Sequence, residues 1–207
     1  MTYMVNDSDN PTINYYNLNA DAFISGTVSA DFEAVQQRFL NLIPQGGKIL
    51  DFGCGSGRDT KYFLEHGYQV DATDGSEEMC RRASEYTGIQ VKQMYFSELN
   101  AKNMYDGIWA CSSILHVPSA ELQDIFQRIS DALKNNGVLY TSFKYGSFEG
   151  ERNGRYFTDL DTQSFHRLVS GISELITVEE WITNDVRPER SEEKWLNVII
   201  KKMAQKS

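Results

Sequence analysis

The chain has 207 residues, of which 41% are hydrophobic and 24% charged, with a net charge of −9. That length and balance suit one folded domain with a sizeable core, and the acidic surplus argues against a nucleic-acid partner, whose phosphates call for a basic surface. No apolar run approaches the length of a membrane span, residues 1–10 lack the basic start and apolar stretch of a secretion signal, and the expected compartment is the cytoplasm. Cys54, Cys80 and Cys111 are odd in number and far apart, which fits neither a disulfide framework nor a paired metal site, so no metal is expected.

In chain order, Asp31 to Ile43 carries Phe32, Val35, Phe39 and Leu42 as a helical stripe closed by Pro44. A strand (Lys48–Phe52), a helix (Arg58–His66) and a second strand (Gln69–Thr73) follow. Ser76 is placed to cap a helix running to about Tyr86, with Glu77 and Glu78 in the first turn, where the helix dipole favours acids. Ile89–Met94 and Gly107–Cys111 read as further strands. Ser119–Leu133 is a helix by its stripe of Leu122, Ile125, Phe126 and Ile129, stopped at Asn135-Asn136-Gly137, and Val138–Phe143 is a fifth strand. After a short helix near Thr162–Ser170, Leu175–Ile182 and Trp195–Lys201 read as two strands with a polar loop between them. Alternating strands and helices predict an α/β fold, a parallel sheet covered on both faces.

The stretch Ile49-Leu50-Asp51-Phe52-Gly53-Cys54-Gly55-Ser56-Gly57 joins the first strand to its helix. Strand, glycine turn and helix bring backbone N–H groups up against a nucleotide-like ligand, because glycine tolerates positive φ and has no side chain to hold the ligand off. The dinucleotide fingerprint is G-x-G-x-x-G, but here Arg58 stands where its third glycine would be. Asp51 is expected to point into the ligand space from the end of the strand, which suits a positively charged ligand better than a pyrophosphate. Asp74 ends the next strand, where a carboxylate can accept two hydrogen bonds from a vicinal diol.

Asp51, Gly53, Gly55 and Gly57, followed by Asp74, resemble the first motifs of the class I S-adenosylmethionine (SAM)-dependent methyltransferases, and the likeness extends over roughly residues 45 to 145. It implies a Rossmann-like fold: a mostly parallel seven-stranded sheet with helices on both faces and a C-terminal antiparallel strand pair. It also implies one domain over residues 1–207, with an N-terminal cap segment (1–30), a cofactor-binding core (31–145) and a substrate-side region with the strand pair (146–207). SAM is the implied cofactor, with Asp51, Gly53, Cys54, Gly55 and Arg58 at the turn. Asp74, Gly75 and Ser76 would lie at the ribose, and Phe96 would wall the adenine. Met79 packs on the adenine or in the core with equal warrant. Cys111 and Ser112 would lie beside the methionine part. In relatives an aromatic N-terminal segment folds over the cofactor, a part for Tyr15, Tyr16 and Phe23 here. Arg58 either takes the SAM carboxylate or pairs with Asp59 or near Asp74.

The sulfonium of SAM already activates the methyl group, so the expected chemistry is in-line displacement by a small-molecule acceptor, with positioning as the protein's main task. His116 is the candidate general base on the substrate side, its ordinary pKa being near neutral; its other reading is to cap the following turn or orient a neighbour. Lys144, Arg155, Arg187 and Arg190 flank the expected carboxyl end of the sheet, as a patch for an anionic substrate or, more usually, as solvated surface charge. His66 reads as a helix-end residue and His166 as structural or exposed. Within the family, Gly57-Arg58-Asp59, Tyr105-Asp106-Gly107-Ile108-Trp109-Ala110, Leu115-His116-Val117 and Trp195-Leu196-Asn197 look most like the small bacterial tellurite-resistance-like group. Two other readings stand beside the methyltransferase: a SAM-binding sensor without catalysis, and a nicotinamide-dependent oxidoreductase. A monomer or a homodimer is expected.

Overall fold

The computed structural model describes residues 10–187 and 190–204. Residues 1–9, which hold most of the stretch read as lacking a secretion signal and the start of the cap segment, lie outside the described residues. In chain order the elements are α1 (Pro11–Thr27), α2 (Glu33–Leu40), β1 (Lys48–Phe52), α3 (Arg58–Glu65), β2 (Gln69–Asp74), α4 (Glu77–Thr87), β3 (Lys92–Gln93), β4 (Tyr105–Ala110), α5 (Ser119–Ala132), β5 (Leu133–Lys144), β6 (Glu149–Arg152), β7 (Arg155–Thr158), α6 (Thr162–Ser170), β8 (Leu175–Asn184) and β9 (Lys194–Lys202). Among the described residues no helix is long and apolar enough to cross a membrane.

Seven strands form one sheet in the order β3-β2-β1-β4-β5-β9-β8. The pairs from β3 to β5 are parallel, and β9 runs antiparallel to both β5 and β8. This is the sheet the sequence predicts, closed at one side by the antiparallel pair. Side chains alternate across each strand. From β1, Leu50 and Phe52 enter a core with Ile108, Leu139, Phe143, α5 (Leu122, Phe126, Ile129) and α6 (Phe165). Ile49 instead joins Trp109 and Tyr140 against Phe39 of α2 and Phe63 of α3. Helices therefore cover both faces. The chain leaves β1 toward β2 on one side and returns at β4 on the other, which opens a crevice at the strands' carboxyl ends.

Four local features depart from the sequence reading. The third strand, expected over Ile89–Met94, is only Lys92 and Gln93, paired with the end of β2 at the edge of the sheet. The fifth strand begins at Leu133, paired with Tyr105, and an irregularity at Asn136 (φ 64°) resets the register before Gly107 meets Val138. The aromatic N-terminal segment is a helix, α1, started by Asn10 accepting from the Thr12 amide (2.9 Å) with Pro11 in the first turn. Its dihedrals break at Asn19. Finally, β6 and β7 form a separate hairpin whose turn residues, Asn153 (φ 52°) and Gly154 (φ 75°), have the positive φ values of a tight two-residue turn.

Candidate functional site

A cavity of about 260 Å³ lies at the carboxyl ends of β1, β2, β4 and β5, roofed by α1 and walled by the β6–β7 hairpin and the loop after β8. Its floor is the glycine turn. Gly53 has φ 83°, and a Cβ added there would meet Ser113 Cβ at 2.5 Å, so no other residue fits this approach. The turn's amides are occupied by the protein itself. Gly53 and Cys54 both donate to the Thr73 carbonyl (2.9 Å each), Gly57 donates to Cys54 (3.0 Å), and Gly55 donates to Asp74 Oδ2 (2.9 Å). The expectation that these N–H groups face a ligand is corrected: the end of β2 lies against the turn and takes them.

Asp74 borders the cavity with its carboxylate clamped between the Gly55 and Ser76 amides (2.9 Å each). Burial raises its pKa, and those N–H groups pull it back down. Gly75 lines the cavity too, while Ser76 is buried and caps α4 by accepting from the Met79 amide at 3.1 Å. Met79 and Phe96 line the wall beyond Asp74, and Phe96 stands edge-on to Phe52 with ring centroids 4.8 Å apart. Cys54, Cys111 and Ser112 line the middle. Burial pushes the Cys111 thiol up to about 12 and the Cys54 thiol well above its ordinary value. Ser112 holds a left-handed φ of 52°, fixed by its amide donating to Ser142 Oγ (2.8 Å). Such strain in a non-glycine residue is typical of sites where a side chain must be aimed.

Asp51 sits differently from expectation, and Arg58 follows one of its readings. Asp51 shares the β1 face of Ile49, so its carboxylate turns under the turn toward α3 and accepts from Thr60 Oγ1 at 2.5 Å, 2% exposed and outside the cavity lining. Burial, then the charge of Asp59, push its pKa up to about 8. Arg58 lines the cavity, but its Nε and Nη2 both reach Asp59 at 2.8 Å. Asp59 also accepts from Gln36 (2.6 Å) and Trp109 (2.8 Å), so the ion pair is buried and hydrogen-bonded throughout. Of the two readings for Arg58, the structure contains the pairing with Asp59.

On the far side Tyr16 and Phe23 of α1 line the roof, and Tyr15 stacks outside them. The Tyr16 hydroxyl lies 3.0 Å from His116 Nε2, and His116 Nδ1 lies 2.5 Å from the Tyr156 carbonyl. A carbonyl only accepts, so Nδ1 carries the proton and Tyr16 donates to the Nε2 lone pair. Burial pulls the His116 pKa down to about 4, leaving the ring neutral. Lys144, at the end of β5, Arg155, on β7, and Arg187 and Arg190, in the loop after β8, also line this half. Three of these cations have acids: Lys144 and Arg190 share Glu193, and Arg187 grips Asp185. His66 bonds the Tyr62 carbonyl at its helix end (2.7 Å), and His166 pairs with Glu180 on the surface.

The sequence reading passed over Phe157 and Ser142 as wall residues and the Tyr156 carbonyl that fixes the His116 tautomer. The Asn153-Gly154 pair is a strong hairpin signal and would have found the segment carrying Arg155 and Phe157. Among the described residues no group of three or more His, Cys, Asp or Glu is placed to hold a metal ion.

A family described as a methyltransferase domain matches residues 49–137, the stretch from β1 to the irregular start of β5. An uncharacterized methyltransferase of Staphylococcus carnosus is 24% identical over 129 residues, 61% of this chain and 60% of that one. The sarcosine/dimethylglycine N-methyltransferase of Aphanothece halophytica is 33% identical over 103 residues, 45% of this chain and 36% of that one. These matches thus span from about a third to three fifths of the relatives' length. Among solved structures, the 1,6-didemethyltoxoflavin-N1-methyltransferase of Burkholderia thailandensis, bound to 1,6-didemethyltoxoflavin and S-adenosylhomocysteine, superposes with a TM-score of 0.73 at 21% identity, over 93% of this chain and 85% of that one. The sheet order and the glycine turn with its acid two residues upstream agree with these matches: residues 49–137 are similar to a methyltransferase domain, and the chain shares the fold of the matched methyltransferase structure.

Proposed function

We propose that this protein transfers the methyl group of SAM to a small-molecule acceptor by in-line displacement. The observation that carries the reading is one continuous cavity, running from Asp74 and the glycine turn, past Ser112, to His116 and Lys144. Such a cavity can hold donor and acceptor end to end. In the proposed arrangement Asp74 takes the ribose hydroxyls, and Met79 and Phe96 take the adenine. Gly53, Cys54, Gly55, Cys111 and Ser112 flank the methionine part. Arg58 and Asp51 act from behind, Asp51 by ionising when a cationic ligand arrives beside it. Gly75 and Ser76 hold the Asp74 loop in shape.

SAM supplies an activated methyl group, and the chain's own contribution is placement and exclusion of water. Aligned placement can lower a barrier by about 7–11 kcal/mol. Tyr16 and Phe23 close the roof over that path. His116 is assigned to holding the Tyr16 hydroxyl in place, since its lone pair is engaged and its pKa near 4 makes it a weak base.

A free small molecule fits a cavity enclosed by α1 and the β6–β7 hairpin better than a macromolecule does. The net charge of −9 also disfavours nucleic acid. The likeness to the tellurite-resistance-like group rests on the sequence motifs alone and is proposed only as a subgrouping. A single domain acting in the cytoplasm, as a monomer or homodimer, completes the reading.

Calorimetric titration with SAM, with NADH in parallel, tests it first. Saturable SAM binding without NADH binding supports the cofactor assignment. NADH binding alone would return the protein to the oxidoreductases. Release of S-adenosylhomocysteine (SAH) in the presence of an acceptor then separates a transferase from a sensor.

A further inference from the structure

Arg155 is held unlike the other cations of the acceptor half. Its guanidinium carbon lies 4.5 Å from the Tyr15 ring centroid, 5.7 Å from Tyr16 and 5.2 Å from Phe157, so aromatic rings fix its plane. Its Nη1 makes one long bond to the Tyr16 hydroxyl (3.4 Å). Its Nε is buried and, like that of Arg152, has no hydrogen-bond partner among the described residues. Arg152, three residues earlier, pairs with Asp159 at 2.6 Å, Lys144 and Arg190 share Glu193, and Arg187 pairs with Asp185. Among the described residues Arg155 is paired with no carboxylate. A buried guanidinium N–H left unpaired is a standing penalty, and it is removed if a ligand supplies the acceptor.

We propose that the methyl acceptor is a small carboxylate-bearing molecule whose carboxylate is bound by Arg155, an assignment that rests on the methyl-transfer reading of the cavity. The planar fork of arginine matches a carboxylate in a bidentate pair. One uncompensated cation calls for one negative charge, which favours a carboxylate over a doubly charged phosphate. The place also fits: Arg155 reaches Tyr16, which reaches His116, so an acceptor anchored there extends along the cavity toward Ser112. Phe157 and Tyr16 beside the guanidinium favour an apolar body behind the carboxylate.

Benzoate and its neutral isostere benzamide probe the site in protein saturated with SAH. Titration should give saturable benzoate binding at least tenfold tighter than benzamide. Arg155→Met, which keeps the aliphatic packing, should abolish that preference and leave SAH affinity within twofold. Arg155→Lys should keep a reduced preference, which guards against a folding failure of the first variant. No preference in the wild type, or a preference that survives Arg155→Met, overturns the proposal. So does a loss of SAH affinity in folded Arg155→Met, which would give the guanidinium to the cofactor's own carboxylate. If the wild type fails to bind SAH at all, the methyl-transfer reading fails with it, a separate and earlier result.

Discussion

Replacing Asp74 with alanine is the sharpest test of the cofactor half. The carboxylate accepts one amide hydrogen on each oxygen, from Ser76 on Oδ1 and from Gly55 on Oδ2, both at 2.9 Å. Each oxygen keeps a free acceptor position, and these two would meet the vicinal hydroxyls of a ribose. A hydrogen bond to a charged group contributes about 1.5–3 kcal/mol. Losing two at the lower end removes about 3 kcal/mol, which at about 1.4 kcal/mol per tenfold is roughly a hundredfold in SAM affinity. The variant also frees two N–H groups, but Asp74 borders the cavity, so water can reach them and a stability loss of about 1–2 kcal/mol is expected. Calorimetry with SAM and SAH, read beside a thermal melt, separates the two effects. A folded Asp74→Ala protein that binds SAM within threefold of wild type would refute the diol assignment.

Other consequences follow from burial and backbone geometry. Gly57 has φ 77°, and a Cβ there would meet Thr87 Cγ2 at 2.8 Å, so Gly57→Ala should lower the melting temperature through about 1–2 kcal/mol of left-handed strain plus overpacking against α4; an unchanged melt would contradict the packing of α3 on α4. Asp51, raised from 3.8 to about 8, keeps a proton that the unfolded chain releases, so it erodes stability as pH rises from about 4 toward 8. Asp51→Asn should gain on the wild type in melts at pH 8 relative to pH 5, and parallel curves would sink this account. His116, lowered from 6.5 to about 4, is neutral in the fold but charges in the unfolded chain, so stability falls as pH drops from about 6.5 toward 4. His116→Asn should flatten that acid limb, which melts between pH 7 and 5 will read.

The parts that were legible are those encoded by neighbours in sequence. β1, α3 and β2 came out of a strand–glycine–helix pattern within one residue at each boundary, and Ser76 caps α4 as its type and position demand. The parts that were not legible depend on partners far along the chain. The third strand is cut to Lys92 and Gln93 by where the end of β2 lies beside it. Asp51 turns away from the cavity because period-2 alternation puts it on the face covered by α3, a consequence visible only once the covering helix is placed. Arg155 read as surface charge because the rings that hold it come from α1 and β7, far apart in the sequence. The hairpin that carries it was signalled by Asn153-Gly154, and α1 by Asn10-Pro11. Both signals are short, and neither is backed by a strong apolar period.

The consumed amides of the glycine turn bear on chemistry more than the motif does. A pyrophosphate needs free N–H donors and positive charge at this point. Here Gly53, Cys54, Gly55 and Gly57 donate to Thr73, Cys54 and Asp74, and Arg58 is neutralised by Asp59. What the floor retains is a close approach without side chains and a carboxylate at Asp74, while Asp51, buried behind it, keeps its proton and adds no charge near neutral pH. That combination repels a diphosphate and attracts a cation bearing a diol. The opposite end of the same cavity inverts the charge: four cations line it, and among the described residues one of them, Arg155, is paired with no carboxylate. An acidic cofactor floor and a basic acceptor wall would orient a cationic methyl donor and an anionic acceptor toward each other without any covalent help from the protein, which is the division of labour that a sulfonium donor permits.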